Sequence, residues 1–192
     1  MAGRGKREGV AGAPSHTDWL GQVLRVSGPA GDVEEFRAAA VGGAAIPWEL
    51  DLDIEEERLL APMATLGVGA RILARELRDA IAAHHARVLA QVETGIVCPL
   101  DLHRLIPVPA RVLRLGPDDP ASLRWLQAHW GTQQALRHVR VLSGDADRRR
   151  RRTAVVTYAF YSADWSPWQA LVRLRADWPS LVFELRPEYG DR

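Results

Sequence analysis

The sequence predicts an α+β fold in which a four-stranded antiparallel sheet carries helices on one face. Strands are predicted at 20–27, 138–142, 153–160 and 181–187, where apolar and polar residues alternate. One helix is predicted after the first strand and another between the last two strands. Two split βαβ halves of this kind form a ferredoxin-like sandwich, so we expect the first strand to lie between the third and the fourth.

The helix between the last two strands has the clearest predicted start. Ser166 is followed by a proline, and Gln169 stands three residues after the serine. This arrangement is a capping box, in which the two side chains satisfy free backbone N–H groups at the helix terminus. Leu171 and Leu174 are predicted to face the core, and Pro179 is predicted to end the helix.

The first strand and the helix after it show the same kind of patterning. Leu24 and Val26 alternate with the residues between them, so both are predicted to face the core. The helix predicted at 32–41 has three apolar residues on one side. These residues, which we expect to be buried, are Val33, Phe36 and Ala40.

The chain is predicted to be one domain with a tail and a large insertion. Residues 1–15 are glycine-rich and basic, and we expect them to form a disordered tail. Residues 16–192 are predicted to form the ferredoxin-like domain, with a largely helical insertion at about 44–130. A long helix is predicted at 62–92, firmest from Ala70 onward. Its predicted inward stripe consists of Leu66, Ala70, Leu73, Leu77, Ile81, His84 and Val88.

Three further segments of the insertion have recognisable patterns. Acidic residues alternate with apolar residues from 49 to 55, so an extended chain would place four carboxylates on one side, either as a cation or acid–base site or as a solvated face. The proline-bounded segment Pro99–Pro109 is predicted to be extended. A helix is predicted to begin after Asp119 and to end at Gly131, because glycine adopts the left-handed conformation that terminates helices.

The cysteine content and the lack of long apolar segments indicate the cellular compartment of the protein. The single cysteine, Cys98, excludes an internal disulfide and suits a reducing environment. No apolar run reaches transmembrane length, and the basic N-terminal stretch has no apolar core of a secretion signal. We therefore expect a soluble cytoplasmic protein that does not associate with membranes.

Catalytic and metal-binding signatures are missing from the sequence. His84 and His85 are adjacent, so they diverge on a helix, and Cys98 with His103 supplies only two of the three or four ligands that zinc needs. Nucleophile elbows and phosphate-binding loops are also missing from the sequence. We expect no cofactor and no metal, and a non-enzyme more than an enzyme. Candidate acid–base residues, which no spacing joins, are His103, His129, His138, Asp164 and Glu188.

Two groups of residues are candidates for binding a partner. Five adjacent arginines, Arg148, Arg149, Arg150, Arg151 and Arg152, are predicted at the tip of a hairpin between the second and third strands. Such a run attracts phosphates without sequence preference, and it is equally compatible with a solvated loop. A second group of candidates comprises Trp130, Trp165 and Trp168, which form either an exposed stacking platform or structural packing.

Several stretches, taken together and in order, resemble the YubB ferredoxin-like family. They are the opening LRVSGPAGDVEEF from Leu24, the Ile-Pro-Val-Pro sequence at 106–109, Trp-Gly-Thr at 130–132, Trp-Ser-Pro at 165–167 and Trp-Pro at 178–179. The resemblance covers about residues 18–190 except much of 44–95. It implies the ferredoxin-like fold and a small bacterial protein encoded on a mobile genetic element. It implies no enzymatic activity.

These observations favour a non-enzymatic binding module whose partner is a protein or a nucleic acid. If the Tyr158 face of the sheet is buried, the opposite face carries Val23, Val155 and Thr157, and we expect no aromatic platform there. The alternatives are an enzyme of unknown class and a subunit of a larger assembly that docks through the helix at 70–92. Assembly into a homo-oligomer stays open.

Overall fold

The computed structural model describes residues 18–94, 98–142 and 152–188. The strands are β1 (Trp19–Pro29), β2 (Arg137–Leu142), β3 (Thr153–Ala163) and β4 (Val182–Glu188). The helices are α1 (Ala30–Ala40), α2 (Leu52–Leu60), α3 (Val68–Thr94), α4 (Leu102–Leu105), α5 (Ala110–Leu113), α6 (Pro120–His129) and α7 (Trp168–Asp177). A 3₁₀ segment, Ala61–Leu66, joins α2 to α3. The expected disordered tail at 1–15 and the arginine-rich tip between β2 and β3, apart from Arg152, lie outside the described residues.

The four strands form one antiparallel sheet with the order β2-β3-β1-β4. Val26 in β1 stands opposite Val156 of β3 on one side and Phe183 of β4 on the other. The first strand therefore lies between the third and the fourth, as predicted. This order, with helices α1 and α7 after β1 and β3, confirms the ferredoxin-like α+β sandwich.

The core lies between the sheet and helices α1 and α7. Phe36 of α1 is fully buried and contacts Tyr158, Phe183 and Trp178 edge to face, with ring centroids 6.5, 5.4 and 5.6 Å away. Edge-to-face pairs contribute about 0.5–1.5 kcal/mol each beyond the burial of their area. The alternation seen in the sequence places one face of β1, β3 and β4 in this core, where Phe160 and Leu185 are buried. The residues predicted to face inward are confirmed on β1, α1 and α7: Leu24, Val26, Val33, Ala40, Leu171 and Leu174.

The acidic segment at 49–55 is helical at its end, which corrects the prediction of an extended chain. The carboxylate of Asp51 accepts hydrogen bonds from the backbone N–H groups of Asp53 and Ile54, at 3.1 and 3.2 Å. Asp51 is thus the N-cap of α2, and Asp53 and Glu55 lie in the first turn, where the helix dipole favours negative charge. Helix formation spreads the carboxylates around an axis and removes the one-sided row.

The long helix exists, and its predicted inward stripe is only partly correct: Ala70 is buried and Ile81 and Val88 are half-buried, but two of its leucines are exposed. Ala70 and Ala74 are buried against α2 and the 3₁₀ segment, whereas Leu73 and Leu77 are 48% and 40% exposed. Small side chains allow α2 and α3 to approach closely, so the predicted leucine stripe is rotated toward solvent. Arg78 fastens the two helices together through an ion pair with Glu56 at 3.0 Å.

The first part of the insertion, residues 43–97, begins and ends at neighbouring points of the domain. The backbone N–H of Gly42 donates to the Cys98 carbonyl at 3.0 Å, and the Cys98 N–H donates back to Gly42 at 2.9 Å. Next to this bridge, the buried carboxylate of Asp101 accepts from the N–H groups of His103 and Ala44. Asp101 caps α4, so the segment Pro99–Pro109 contains a short helix. The prediction that this segment is extended is therefore wrong for residues 102–105.

The start of α7 also differs from the prediction. Pro167 occupies the N-cap position, and no side chain caps the helix. The hydroxyl of Ser166 instead accepts a hydrogen bond at 2.9 Å from the side-chain amide of Gln22, which is fully buried on β1. A buried amide is costly without partners, so this requirement outweighs the local capping box. The side chain of Gln169 lies against Gly131.

Strand β2 is irregular at its first residues. Its pairing with β3 shifts between Arg137 and Arg140, and His138 there has a φ of +50°. After the bulge the alternation is regular, and Val141 stands opposite the core-facing Tyr158. Val139 packs against the core, whereas Val141 is 44% exposed because β2 is the edge strand of the sheet. The alternating pattern of 138–142 thus predicts the side of the sheet for both valines but the burial of Val139 alone.

Candidate functional site

The tryptophans singled out by the sequence do not form one surface. Trp130 is fully buried, and its indole N–H donates to the carbonyl of Ile106 at 3.0 Å. Trp130 therefore has a structural role, and it cannot belong to an exposed stacking platform. Trp165 and Trp168 are 65% and 48% exposed, just after the end of β3.

The arginine run can be placed only at its last member. Arg152 is exposed, and its carbonyl accepts a hydrogen bond from the N–H of Ala30 at 3.2 Å. Arg148 through Arg151 lie outside the described residues. The described part of the run is thus anchored at the N-terminus of α1, beside the start of β3.

The side of the sheet opposite α1 and α7 forms a broad exposed surface, which we call the open face. Alternation and register define it, because the residues between the core-facing positions of each strand must point the other way. Its exposed or half-exposed members are Trp19, Val23 and Arg25 of β1, Arg137 and Arg140 of β2, Val155, Thr157 and Tyr161 of β3, and Val182, Glu184, Arg186 and Glu188 of β4.

Aromatic rings and a guanidinium meet at one corner of the open face. The Cζ atom of Arg137 lies 4.0 Å from the centroid of the Trp19 ring, and Arg137 stands opposite Tyr161 in the register. The Tyr161 ring is 43% exposed and meets the ring of His138 edge to face at 6.0 Å. We call Trp19, Arg137, His138 and Tyr161 the corner cluster. Flat π surfaces beside a cation suit ligands that are themselves flat and anionic.

Unusual backbone conformations position the corner cluster. His138 has its positive φ in the β2 bulge, and Asp164, just after β3, has a φ of +60°. The Asp164 carboxylate accepts from the N–H of Asp18 at 2.9 Å, while the Asp164 N–H donates to the Asp18 carbonyl at 2.7 Å. This reciprocal pair fixes the residue that precedes Trp19. Non-glycine residues with positive φ cost of order 1 kcal/mol or more and often occur at functional sites.

Positive charge exceeds negative charge across the open face. Arg25 pairs with Glu184 at 3.0 Å, although both side chains are about half exposed. Arg140 and Arg186 lie at the two ends of the next row across the sheet, with Ala159 and Val23 between them. Within the described ranges neither of these two arginines has a carboxylate partner. They are therefore available to an anionic ligand.

The sequence prediction missed the aromatic part of this surface. Trp19 and Tyr161 each lie one residue beyond the predicted strands at 20–27 and 153–160, so neither was assigned to the sheet. The expectation that the open face has no aromatic platform therefore left these two rings out of account. The alternation continues past Phe160, and this continuation was the signal that could have placed Tyr161 on the open face.

A polar cleft of about 600 Å³ adjoins the corner cluster, and Arg137 of the cluster forms part of its wall. His84 of α3, Asp118 and Asp164 also line it. A second, apolar groove of about 510 Å³ runs along α3 and shares His84 with the polar cleft. The candidate acid–base residues His103, His129 and Glu188 line neither of these cavities.

The side chains of His103 and Cys98, two other candidates for chemistry, are half-buried and buried respectively, and both form hydrogen bonds within the fold. His103 accepts a hydrogen bond from the N–H of Val108 at 3.2 Å, and burial lowers its pKa. Burial raises the pKa of the Cys98 thiol to about 11, so the thiol stays protonated at neutral pH and is a poor nucleophile. Over the described ranges, no three histidine, cysteine or acidic residues are grouped so that they could hold a metal ion.

Comparison with models of protein families, with curated proteins and with solved structures finds no match to this chain. Among the described helices, none is both long and apolar enough to cross a membrane.

Proposed function

We propose that the protein is a non-enzymatic binding module whose open face binds single-stranded nucleic acid. The observation that carries this proposal is the corner cluster. Trp19 and Tyr161 belong to β1 and β3, the two central strands of the sheet, and Arg137 lies beside both. Exposed aromatic rings on the central strands of a four-stranded sheet are the surface on which single-stranded bases stack.

Stacking on Tyr161 supplies the non-electrostatic part of the proposed affinity. One face of a base can lie on an exposed tyrosine ring, and such stacking contributes about 1–3 kcal/mol per base. Trp19 is partly covered by the Arg137 guanidinium, so Tyr161 is the more accessible ring. Stacking of this kind needs unpaired bases, which favours single strands over a duplex.

Phosphate contacts supply the electrostatic part. Arg140 and Arg186 flank the middle of the open face, and Arg152 lies at the far end of β3 from the corner cluster. The nine residues from Thr153 to Tyr161 span roughly 27 Å at about 3.3 Å per residue, which leaves room for several nucleotides. The arginines from Arg148 to Arg151, which precede this end of β3 in the chain, would extend the basic path.

The test is a binding titration of labelled single-stranded DNA, single-stranded RNA and duplex DNA across a range of salt concentrations. We expect Tyr161→Ala to weaken single-strand binding about 5- to 100-fold with little change in the salt dependence. We expect Arg140→Gln with Arg186→Gln to flatten the salt dependence. The matched controls are Val172→Ala on the exposed side of α7 and Arg71→Gln on α3, which should change neither property.

Two outcomes would overturn the proposal. One is that the wild-type protein binds no oligonucleotide at low salt, which would leave a protein as the better partner for the open face. The other is that Tyr161→Ala binds as tightly as the wild type, which would separate any binding from the corner cluster. Changing Arg148 through Arg152 to glutamine then tells whether the arginine run alone accounts for the binding.

Other parts of the functional assignment are proposals on sequence grounds. Membership of the YubB ferredoxin-like family and an origin on a mobile genetic element rest on the ordered tryptophan and proline motifs, such as Trp-Ser-Pro at 165–167. A cytoplasmic location is proposed from the single cysteine, Cys98. Fractionation of cells that express the full chain would test the location.

A further inference from the structure

Helix α3 leaves a row of apolar residues uncovered. It is 27 residues long, about 40 Å, and packs on α2 through Ala70 and Ala74. Leu73 and Leu77 are 48% and 40% exposed on a neighbouring side of the same helix. With Ala80 and His84, these leucines recur at spacings of four, three and four residues, as in a helix–helix contact. We call Leu73, Leu77, Ala80 and His84 the α3 seam.

The α3 seam borders an apolar groove. The apolar groove of about 510 Å³ lies between α3 and the segments around Trp48, Leu59 and Pro117. Leu77, Ala80 and His84 of the seam form one wall of it. An amphipathic helix in such a groove is a common mode of protein recognition. The seam and the groove together are therefore a surface suited to a helical partner.

The charges beside the α3 seam favour a second copy of this chain as that partner. Glu76 and Arg87 are exposed and eleven residues apart, about three helical turns, so they lie on the same side of α3. Among the described residues neither has a partner of opposite charge. In an antiparallel pair of α3 helices whose two-fold axis lies near residues 81–82, each Glu76 comes level with the Arg87 of the other copy. A parallel pair would instead bring like charges together.

We propose that the protein forms a two-fold symmetric dimer in which the α3 helices of two copies pack antiparallel, so that the α3 seam of each copy lies along residues 79–90 of the other. The symmetry axis lies near residues 81–82, so the two Glu76–Arg87 pairs form reciprocally, as an isologous interface requires. Ala80 stands next to this axis, and its small side chain allows the two helices to approach closely. The dimer buries Leu73 and Leu77, which the single chain leaves exposed.

The first test measures the oligomeric state of the full chain by sedimentation equilibrium. We expect the wild type to be dimeric at ~100 µM, and Leu73→Glu to weaken association at least about tenfold. The matched control is Val172→Glu on α7, where an equally apolar side chain is 68% exposed. Because both positions are already exposed, both variants should keep the wild-type circular dichroism spectrum. A wild-type protein that is monomeric at this concentration would overturn the proposal.

The second test addresses orientation. Glu76→Arg and Arg87→Glu should each weaken the dimer, and the double variant should restore it to within about threefold of the wild type. Oxidation of a mixture of Leu73→Cys and Gln91→Cys proteins should cross-link the two variants to each other. Cross-linking of Leu73→Cys to itself alone, or a double variant weaker than both single variants, would contradict the antiparallel arrangement. The buried native Cys98 does not compete.

Discussion

The guanidinium of Arg137 lies over the indole ring of Trp19, with its Cζ atom 4.0 Å from the ring centroid. The two residues are 118 positions apart in the chain and belong to β2 and β1, which do not pair with each other. The contact therefore crosses β3, next to Tyr161. It depends on the whole sheet and positions two groups of the proposed binding surface at once.

We predict that Arg137→Gln lowers the free energy of unfolding by about 0.5–1 kcal/mol, because an exposed cation–π contact contributes this much. Urea denaturation of this variant, of Trp19→Leu and of the double variant measures the coupling between the two side chains. Arg140→Gln, in the same strand without a ring contact, is the control and should change stability by less than about 0.5 kcal/mol. Additive effects of the first two substitutions would show that the contact contributes nothing.

We predict that Ser166→Ala lowers the free energy of unfolding by about 1–2 kcal/mol. The buried side-chain amide of Gln22 would lose its 2.9 Å hydrogen bond to the Ser166 hydroxyl and keep the longer one, at 3.3 Å, to the hydroxyl of Ser162. A capping box would make Gln169→Ala costly as well. The structure instead predicts a change within about 0.5 kcal/mol for Gln169→Ala. Comparable losses for both variants would restore the capping box and contradict the role of Gln22.

We predict that Gly131→Ala is destabilising by about 1–3 kcal/mol. Gly131 has a φ of +83°, which L-residues adopt at a cost, and an added Cβ would also meet the side chain of Gln169. Thermal or urea denaturation gives the size of the effect. The background variant Gln169→Ala removes the contact with the Gln169 side chain, while close contacts with the backbone of Trp168 and Ser166 and the cost of the positive φ remain. Gly116→Ala, with the same φ and open space around it, is the matched control for the backbone cost alone.

We predict that stability falls in alkaline solution. Burial raises the pKa of Cys98 from 9.0 to about 11 and that of Tyr158 from 10.0 to about 12. The unfolded chain releases these protons at lower pH than the folded chain, so their contribution is complete below about pH 9 and is lost as the pH rises toward 12. Urea denaturation over this range should show the loss. Cys98→Ala should flatten its first part and Tyr158→Phe its second, and unchanged slopes would contradict the prediction.

The sheet could be predicted because the alternation of core-facing and open-face residues does not depend on where each strand ends. Leu24, Phe160 and Phe183 face the core however far their strands extend. The surface opposite was harder to predict, because Trp19 and Tyr161 lie where the strands end, and strand ends are the least regular part of the pattern. The candidate site was therefore only partly visible from the sequence.

The insertion was harder to predict for a different reason. The segment Leu50–Glu57 fits both an extended chain and a helix, and the capping of α2 by Asp51 decides between them. The leucines of α3 fit a buried stripe equally well, but the small side chains of Ala70 and Ala74 pack on α2 instead. Sequence patterning identifies an amphipathic helix, whereas the choice of its buried face depends on which neighbour it meets.

The two reciprocal hydrogen bonds between Gly42 and Cys98 hold together the ends of the segment 43–97, the first part of the insertion. Because the two ends of this segment sit side by side, its length can change without moving the strands of the sheet, provided that Ile46, which is buried in the core, keeps its place. Replacing the part of it after Ile46 by a four-residue turn would shorten the loop that folding must close and lower the entropic cost by about 2 kcal/mol. The length of this helical segment is thus set apart from the pairing of the four strands, which the bridge between Gly42 and Cys98 leaves unchanged.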